Sequence, residues 1–138
     1  MAYSSMNRST EYDILIVDDE AEFVRCLVEA IEMHDPDLRI ITAPNGKHAM
    51  EMLKTFVADI LITDLKMPVM DGFELLEFVQ RKLPRTQVIV VSLLDSAEVR
   101  QRLAGLGVTR FLDKPLDLQL FMNQINAAKD AAASQRSS

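Results

Sequence analysis

Apolar residues along this chain follow two rhythms. Five short runs, at 13–17, 38–42, 59–63, 87–92 and 109–112, are rich in β-branched residues. Four of them are continuously apolar rather than alternating, as in Ile14-Leu-Ile-Val17 and Val88-Ile-Val-Val91. A strand covered on one face alternates apolar and polar side chains, and one covered on both faces has no need to. The runs therefore predict strands of a parallel sheet buried on both sides.

Segments of helical period separate the runs. Residues 20–34 place Phe23, Leu27, Ala30 and Ile31 on one stripe, at the i, i+4, i+7, i+8 spacing of a helix that packs against a core. Residues 47–56 carry Met50 and Leu53, with Val57 at the end; 71–82 carry Phe73, Leu76 and Val79 or Gln80 and stop before Pro84. Residues 96–106 carry Val99 and Leu103 and run into Gly105 and Gly107. Residues 117–133 open on Asp117 as an N-cap and carry Leu120, Phe121 and Ile125. Strand followed by helix, five times over, predicts right-handed crossovers and a three-layer α/β sandwich. The methionines within the helical stripes are read as core filler. The Ser- and Ala-rich ends, 1–10 and 129–138, read as frayed or linker-like segments around one domain at 11–128.

Composition narrows the classes. A chain of 138 residues, 49% hydrophobic and 26% charged, is long enough for one soluble globular core. No apolar run nears the roughly 20 residues that cross a bilayer, and the N-terminal ten residues lack the apolar stretch of a signal peptide. No membrane partner is expected. The net charge of −6 without a basic patch argues against direct contact with nucleic acid. The single cysteine, Cys26, has no partner for an internal disulfide, which suits a reducing cytoplasm; three residues after Phe23, it reads as a small core or boundary side chain.

In an open α/β sheet, ligands bind beyond the carboxyl ends of the strands, where strand order reverses. The first run ends in Asp18-Asp19-Glu20, the third in Asp64, the fourth in Ser92, and the fifth in Lys114-Pro115; the second ends in a turn with neither acid nor base. Carboxylates, a hydroxyl and an ammonium would thus meet on one edge. Acids so placed repel unless a cation joins them, and oxygen-only ligands favour a hard ion such as Mg²⁺. The set also suits a phosphoryl group: metal and Lys114 neutralise its oxygens, the Ser92 hydroxyl donates to one, and a carboxylate is the nucleophile. Asp64, on the central run between the acid pair and the lysine, is the best-placed nucleophile.

Ile14-Leu-Ile-Val-Asp-Asp-Glu20, Asp64-Leu-Lys-Met-Pro-Val-Met-Asp-Gly72, Val90-Val-Ser92 and Phe111-Leu-Asp-Lys-Pro115 together resemble the receiver domains of response regulators in two-component signalling. The resemblance spans residues 11–128 in order. It implies a flavodoxin-like (βα)5 doubly wound fold with a five-stranded parallel sheet in the order 2-1-3-4-5. Asp64 would be phosphorylated by a histidine kinase or phosphotransfer protein. Asp19, Asp64 and the backbone carbonyl of Lys66 would ligate Mg²⁺ directly, and Asp18 through water. Lys114 would bind phosphoryl oxygens, with a cis bond to Pro115. Ser92 and Phe111 would be the switch pair, and Gly72 would close the loop after the third strand.

The resemblance further implies an output surface on the fourth helix, fifth strand and fifth helix, here including Val99, Arg102, Arg110 and Asp113. That surface would serve a downstream effector, a fused output domain or a homodimer. The chain departs from the family's commoner residues at Lys66, Leu93 and Leu94, which are expected to modulate rates, and at Phe111, where Tyr is frequent. Two other readings use the same residues: a receiver-like scaffold that is never phosphorylated, and a haloacid-dehalogenase-type phosphatase. The phosphatase requires Asp-x-Asp where this chain has Asp18-Asp19-Glu20. The receiver itself would be no enzyme beyond assisting its own phosphorylation and dephosphorylation.

Overall fold

A computed structural model describes residues 11–67 and 70–137. Five strands alternate with five helices: β1 (Tyr12–Val17), α1 (Ala21–His34), β2 (Leu38–Ala43), α2 (Gly46–Leu53), β3 (Ile60–Thr63), α3 (Gly72–Lys82), β4 (Gln87–Ser92), α4 (Ala97–Gly105), β5 (Arg110–Asp113) and α5 (Leu118–Ser137). All pairings are parallel, in the order β2-β1-β3-β4-β5. The expected doubly wound sandwich is the fold.

Successive strand residues point to opposite faces, so each continuous apolar run feeds two cores. Leu15, Val17 and Leu61 pack with Leu53, Leu76 and Leu103 of α2, α3 and α4. Ile14, Ile16 and Ile62 pack on the other face with Leu27 and Ile31 of α1 and Phe121 and Ile125 of α5. Burying each such side chain contributes about 1.5–3 kcal/mol, so both faces supply driving force and neither strand face is spare. The chain leaves β1 toward one edge and β3 toward the other. Order therefore reverses between β1 and β3, where the strand ends splay into a crevice.

Side chains fix where the helices begin. Asn45 accepts from the His48 backbone N–H at 2.8 Å, Asp71 from Phe73 at 2.8 Å and Ser96 from Val99 at 3.1 Å. Asp117 accepts from Gln119 and Leu120, as its N-cap reading anticipates. Gly107, at φ 78°, turns the chain from α4 into β5 in a conformation that disfavours any Cβ.

Several expectations need correction. α5 runs through residues 129–137 instead of ending in a tail: alanine is the best helix former, and Ala128 and Ala132, one turn apart, are buried beneath it. Asp35 and Asp59 hold this turn and the next through Lys129 and Arg136. The reading of residues 1–10 lies outside the described residues. Cys26 is exposed, because α1 turns Leu27 inward and carries its neighbour out. Val57 and Leu120, expected in the core, are also exposed; α2 ends before Val57, and α5 buries Phe121 and Met122 instead.

Candidate functional site

The strand-end residues are held by hydrogen bonds that continue the sheet ladder. The Asp18 N–H donates to the Ala43 carbonyl at 3.2 Å, that of Asp64 to Val17 at 3.2 Å, and that of Lys114 to Ser92 at 3.1 Å. Residues far apart in sequence thus reach one edge with their backbones already fixed. The Lys114–Pro115 peptide bond is cis.

Lys114 is the hub. Its Nζ donates to Asp18 Oδ2 at 3.0 Å, Glu20 Oε1 at 2.9 Å and Asp64 Oδ2 at 2.9 Å. The other Asp64 oxygen, Oδ1, accepts from the Ser92 hydroxyl at 2.8 Å and from the Lys66 backbone N–H at 3.1 Å. Asp18, Asp64 and Ser92 are buried, and Glu20 reaches in from the exposed rim. Asp18 Oδ1 accepts from the Glu20 N–H at 2.9 Å and so turns the chain back over the site.

Burial and pairing set the charges. Burial pushes the Asp18 carboxyl above the usual carboxylate range, against the Glu20 N–H and Lys114 that pull it down. Burial acts the same way on Asp64, but Lys114, the Lys66 N–H and the Ser92 hydroxyl together outweigh it and leave its carboxyl below that range. Lys114 is desolvated, yet its three carboxylate partners raise its pKa and keep it an ammonium. Asp64 is thus the buried carboxylate held ionised, as a nucleophile must be.

Three carboxylates against one ammonium leave a local charge of about −2, which a divalent ion would neutralise. Oxygens of Asp18, Glu20 and Asp64 all lie within 4.8 Å of one another. A hard-oxygen donor set this close, with two of its acids buried, fits Mg²⁺. The sequence reading placed Asp19 in this group. It lines the same cleft of about 390 Å³ with Lys66 and Leu93 and is exposed, while the three oxygens within 4.8 Å of one another belong to Asp18, Glu20 and Asp64. Spacing alone does not show that Glu20 reaches Lys114; the turn that folds Glu20 back brings it there.

The remaining expected residues occupy the rim and the neighbouring face. Leu93 is 74% exposed and Leu94 40% exposed, while the Leu94 N–H donates to the Ser92 hydroxyl oxygen. Phe111, half-buried on β5, lies opposite Val90, two residues before Ser92 on the same face, and the Arg100 guanidinium caps its ring at 4.5 Å. Of the charges expected on the output surface, Arg102 turns to the Phe73 ring of α3 at 3.9 Å and Arg110 bonds Gln87 of β4. Gly72 packs against the loop after β3 so tightly that a Cβ there would stand 2.6 Å from Leu65 Cα and 2.7 Å from the Asp64 carbonyl oxygen. Pro68 and Val69 of that loop's motif lie outside the described residues.

Comparison with known proteins gives a consistent picture. The family described as response regulator receiver domain matches residues 14–126. A protein-glutamate methylesterase/protein-glutamine glutaminase of Methylobacillus flagellatus is 38% identical over 104 residues, which is 74% of this chain and 29% of the relative. One from Nitrosomonas europaea is 39% identical over the same shares. The chain thus spans less than a third of the length of these relatives. Among solved structures, the receiver domain of a Francisella response regulator superposes with a TM-score of 0.79 at 25% identity, covering 87% of this chain and 98% of that one. The signal receiver domain of a DNA-binding response regulator from Colwellia psychrerythraea gives 0.78 at 28% identity, covering 85% and 97%.

Proposed function

The chain belongs to the response regulator receiver domain family of two-component signalling, and on that premise we propose that Asp64 takes the phosphoryl group in a phosphorelay. The observation that carries this reading is the buried Asp64 carboxylate, with one oxygen held by Ser92 and the other by Lys114. In the transfer, an Asp64 oxygen attacks the phosphorus of a phosphohistidine on a histidine kinase or phosphotransfer protein. The P–O bond forms as the P–N bond breaks, and the electron pair returns to the imidazole. Lys114 then neutralises a phosphoryl oxygen and the Ser92 hydroxyl donates to another, so the contacts that hold the free carboxylate are reused for the product.

Asp18, Asp19 and Asp64, with the Lys66 carbonyl, would hold Mg²⁺; Glu20 offers a further oxygen. When bound, the ion supplies positive charge that screens the acids from the incoming phosphoryl oxygens. Loss of the Ser92–Asp64 bond on phosphorylation frees the hydroxyl to follow the new oxygens, and Phe111, on the same face, would repack with it. A surface on α4, β5 and α5 would thereby be biased toward an effector, a fused output domain or a second copy. No described helix is long and apolar enough to cross a membrane. The test is incubation with a small phosphodonor and Mg²⁺. The wild type should gain one phosphoryl group by mass, and Asp64→Asn should gain none; modification of Asp64→Asn at the wild-type rate would refute the assignment.

A further inference from the structure

The Lys114 ammonium makes one contact that no acid supplies: it sits 4.4 Å from the centroid of the Phe23 ring. Phe23 belongs to the first turn of α1, three residues after Glu20. Glu20 is the extended residue just before α1, and its carboxylate and the Phe23 ring both reach Lys114. The Lys114 side chain is only 9% exposed, and the ring is half-buried, its other contacts being with the core beneath α1.

We propose that Phe23 is a positioning residue for Lys114, its ring face holding the ammonium over Asp64. This rests on the reading of Lys114 as the phosphoryl-binding cation. The three carboxylate partners cannot hold the ammonium steadily through the reaction, because one of them, Asp64, becomes the acyl phosphate. A π face attracts a cation without taking up an N–H group. The ring therefore keeps Lys114 in place while its hydrogens are redistributed from carboxylate to phosphoryl oxygens. A leucine would fill much of the same space without the electron-rich face.

The experiment measures beryllofluoride affinity by calorimetry in the presence of Mg²⁺ for wild type, Phe23→Leu and Phe23→Tyr, each also in a Lys114→Ala background. Loss of a cation–π contact shielded from water should weaken binding by up to about thirty-fold in Phe23→Leu, with Phe23→Tyr near wild type. The Leu penalty should shrink toward none once Lys114 is absent, which a merely structural role would not produce. The methylene protons of Lys114 next to Nζ should also lose their upfield ring shift in Phe23→Leu. Wild-type affinity in Phe23→Leu, an equal loss in Phe23→Tyr, or an undiminished penalty without Lys114 would overturn the proposal. Failure of wild type to bind beryllofluoride at all would refute the functional reading itself.

Discussion

Replacing Lys114 by methionine keeps most of the side-chain volume and removes the charge that three carboxylates share. In the native site the ammonium lies 2.9–3.0 Å from Asp18, Glu20 and Asp64, whose side chains are 3%, 62% and 8% exposed. Glu20 can turn to water, so its share is that of a surface pair, below about 1 kcal/mol. Asp18 and Asp64 cannot, and stranding a buried ionic partner costs about 3–5 kcal/mol. A ceiling exists: a stranded carboxyl can take up a proton, which at pH 7 costs about 4 kcal/mol from its ordinary pKa. The expected loss at pH 7 without divalent ions is therefore about 3–4 kcal/mol, large beside the 5–15 kcal/mol of a typical domain. Lys114 has a raised pKa, so none of its contribution is lost to its own deprotonation below its unfolded value near 10.4, and that loss comes only above it. The penalty should shrink as pH falls toward about 4, because there the carboxyls accept protons more readily. Mg²⁺ should shrink it too, by restoring positive charge. The chain has no Trp, so urea unfolding is best followed by far-UV circular dichroism. A loss below about 1 kcal/mol at pH 7, or one indifferent to Mg²⁺, would refute the hub role of the ammonium.

Gly72→Ala should destabilise the fold by about 1–3 kcal/mol in urea unfolding, because its Cβ would meet backbone atoms at 2.6–2.9 Å. A neutral change would show that the acceptor loop yields freely. Asp18 carries a raised pKa, so its stabilising share is present below the unfolded value and is lost as pH rises through the folded one. Metal-free Asp18→Asn should accordingly gain on wild type as pH rises above about 4, and a pH-independent difference would contradict the burial argument. Lys66 and Leu94 offer no acceptor to orient a water toward phosphorus. Lys66→Asn and Leu94→Glu should therefore lose the phosphoryl group faster than wild type; equal or slower loss in both would defeat the idea.

The strands and the acids at their ends were legible because both-faced burial writes continuous apolar runs, and topology alone carries their ends to one edge. The ends of helices were less so. Residues 129–137 look like a tail by composition, yet the same alanines propagate a helix once Ala128 and Ala132 find the core. Within Asp18-Asp19-Glu20, one-residue spacing could not say which acids face Lys114, since that depends on the backbone turn set by Asp18 Oδ1 and the Glu20 N–H. Phe23 was visible as a core-stripe residue. Its contact with Lys114 joins positions 91 apart, which no local pattern encodes.

The central question is which atom is phosphorylated. After reaction with a small phosphodonor and Mg²⁺, borohydride reduction converts an aspartyl phosphate into homoserine, and tandem mass spectrometry of the peptides locates it. Homoserine is expected at position 64 alone, and absent when phosphodonor is omitted. Homoserine at position 18 or 19, or a stable phosphate on Ser92 instead, would contradict it.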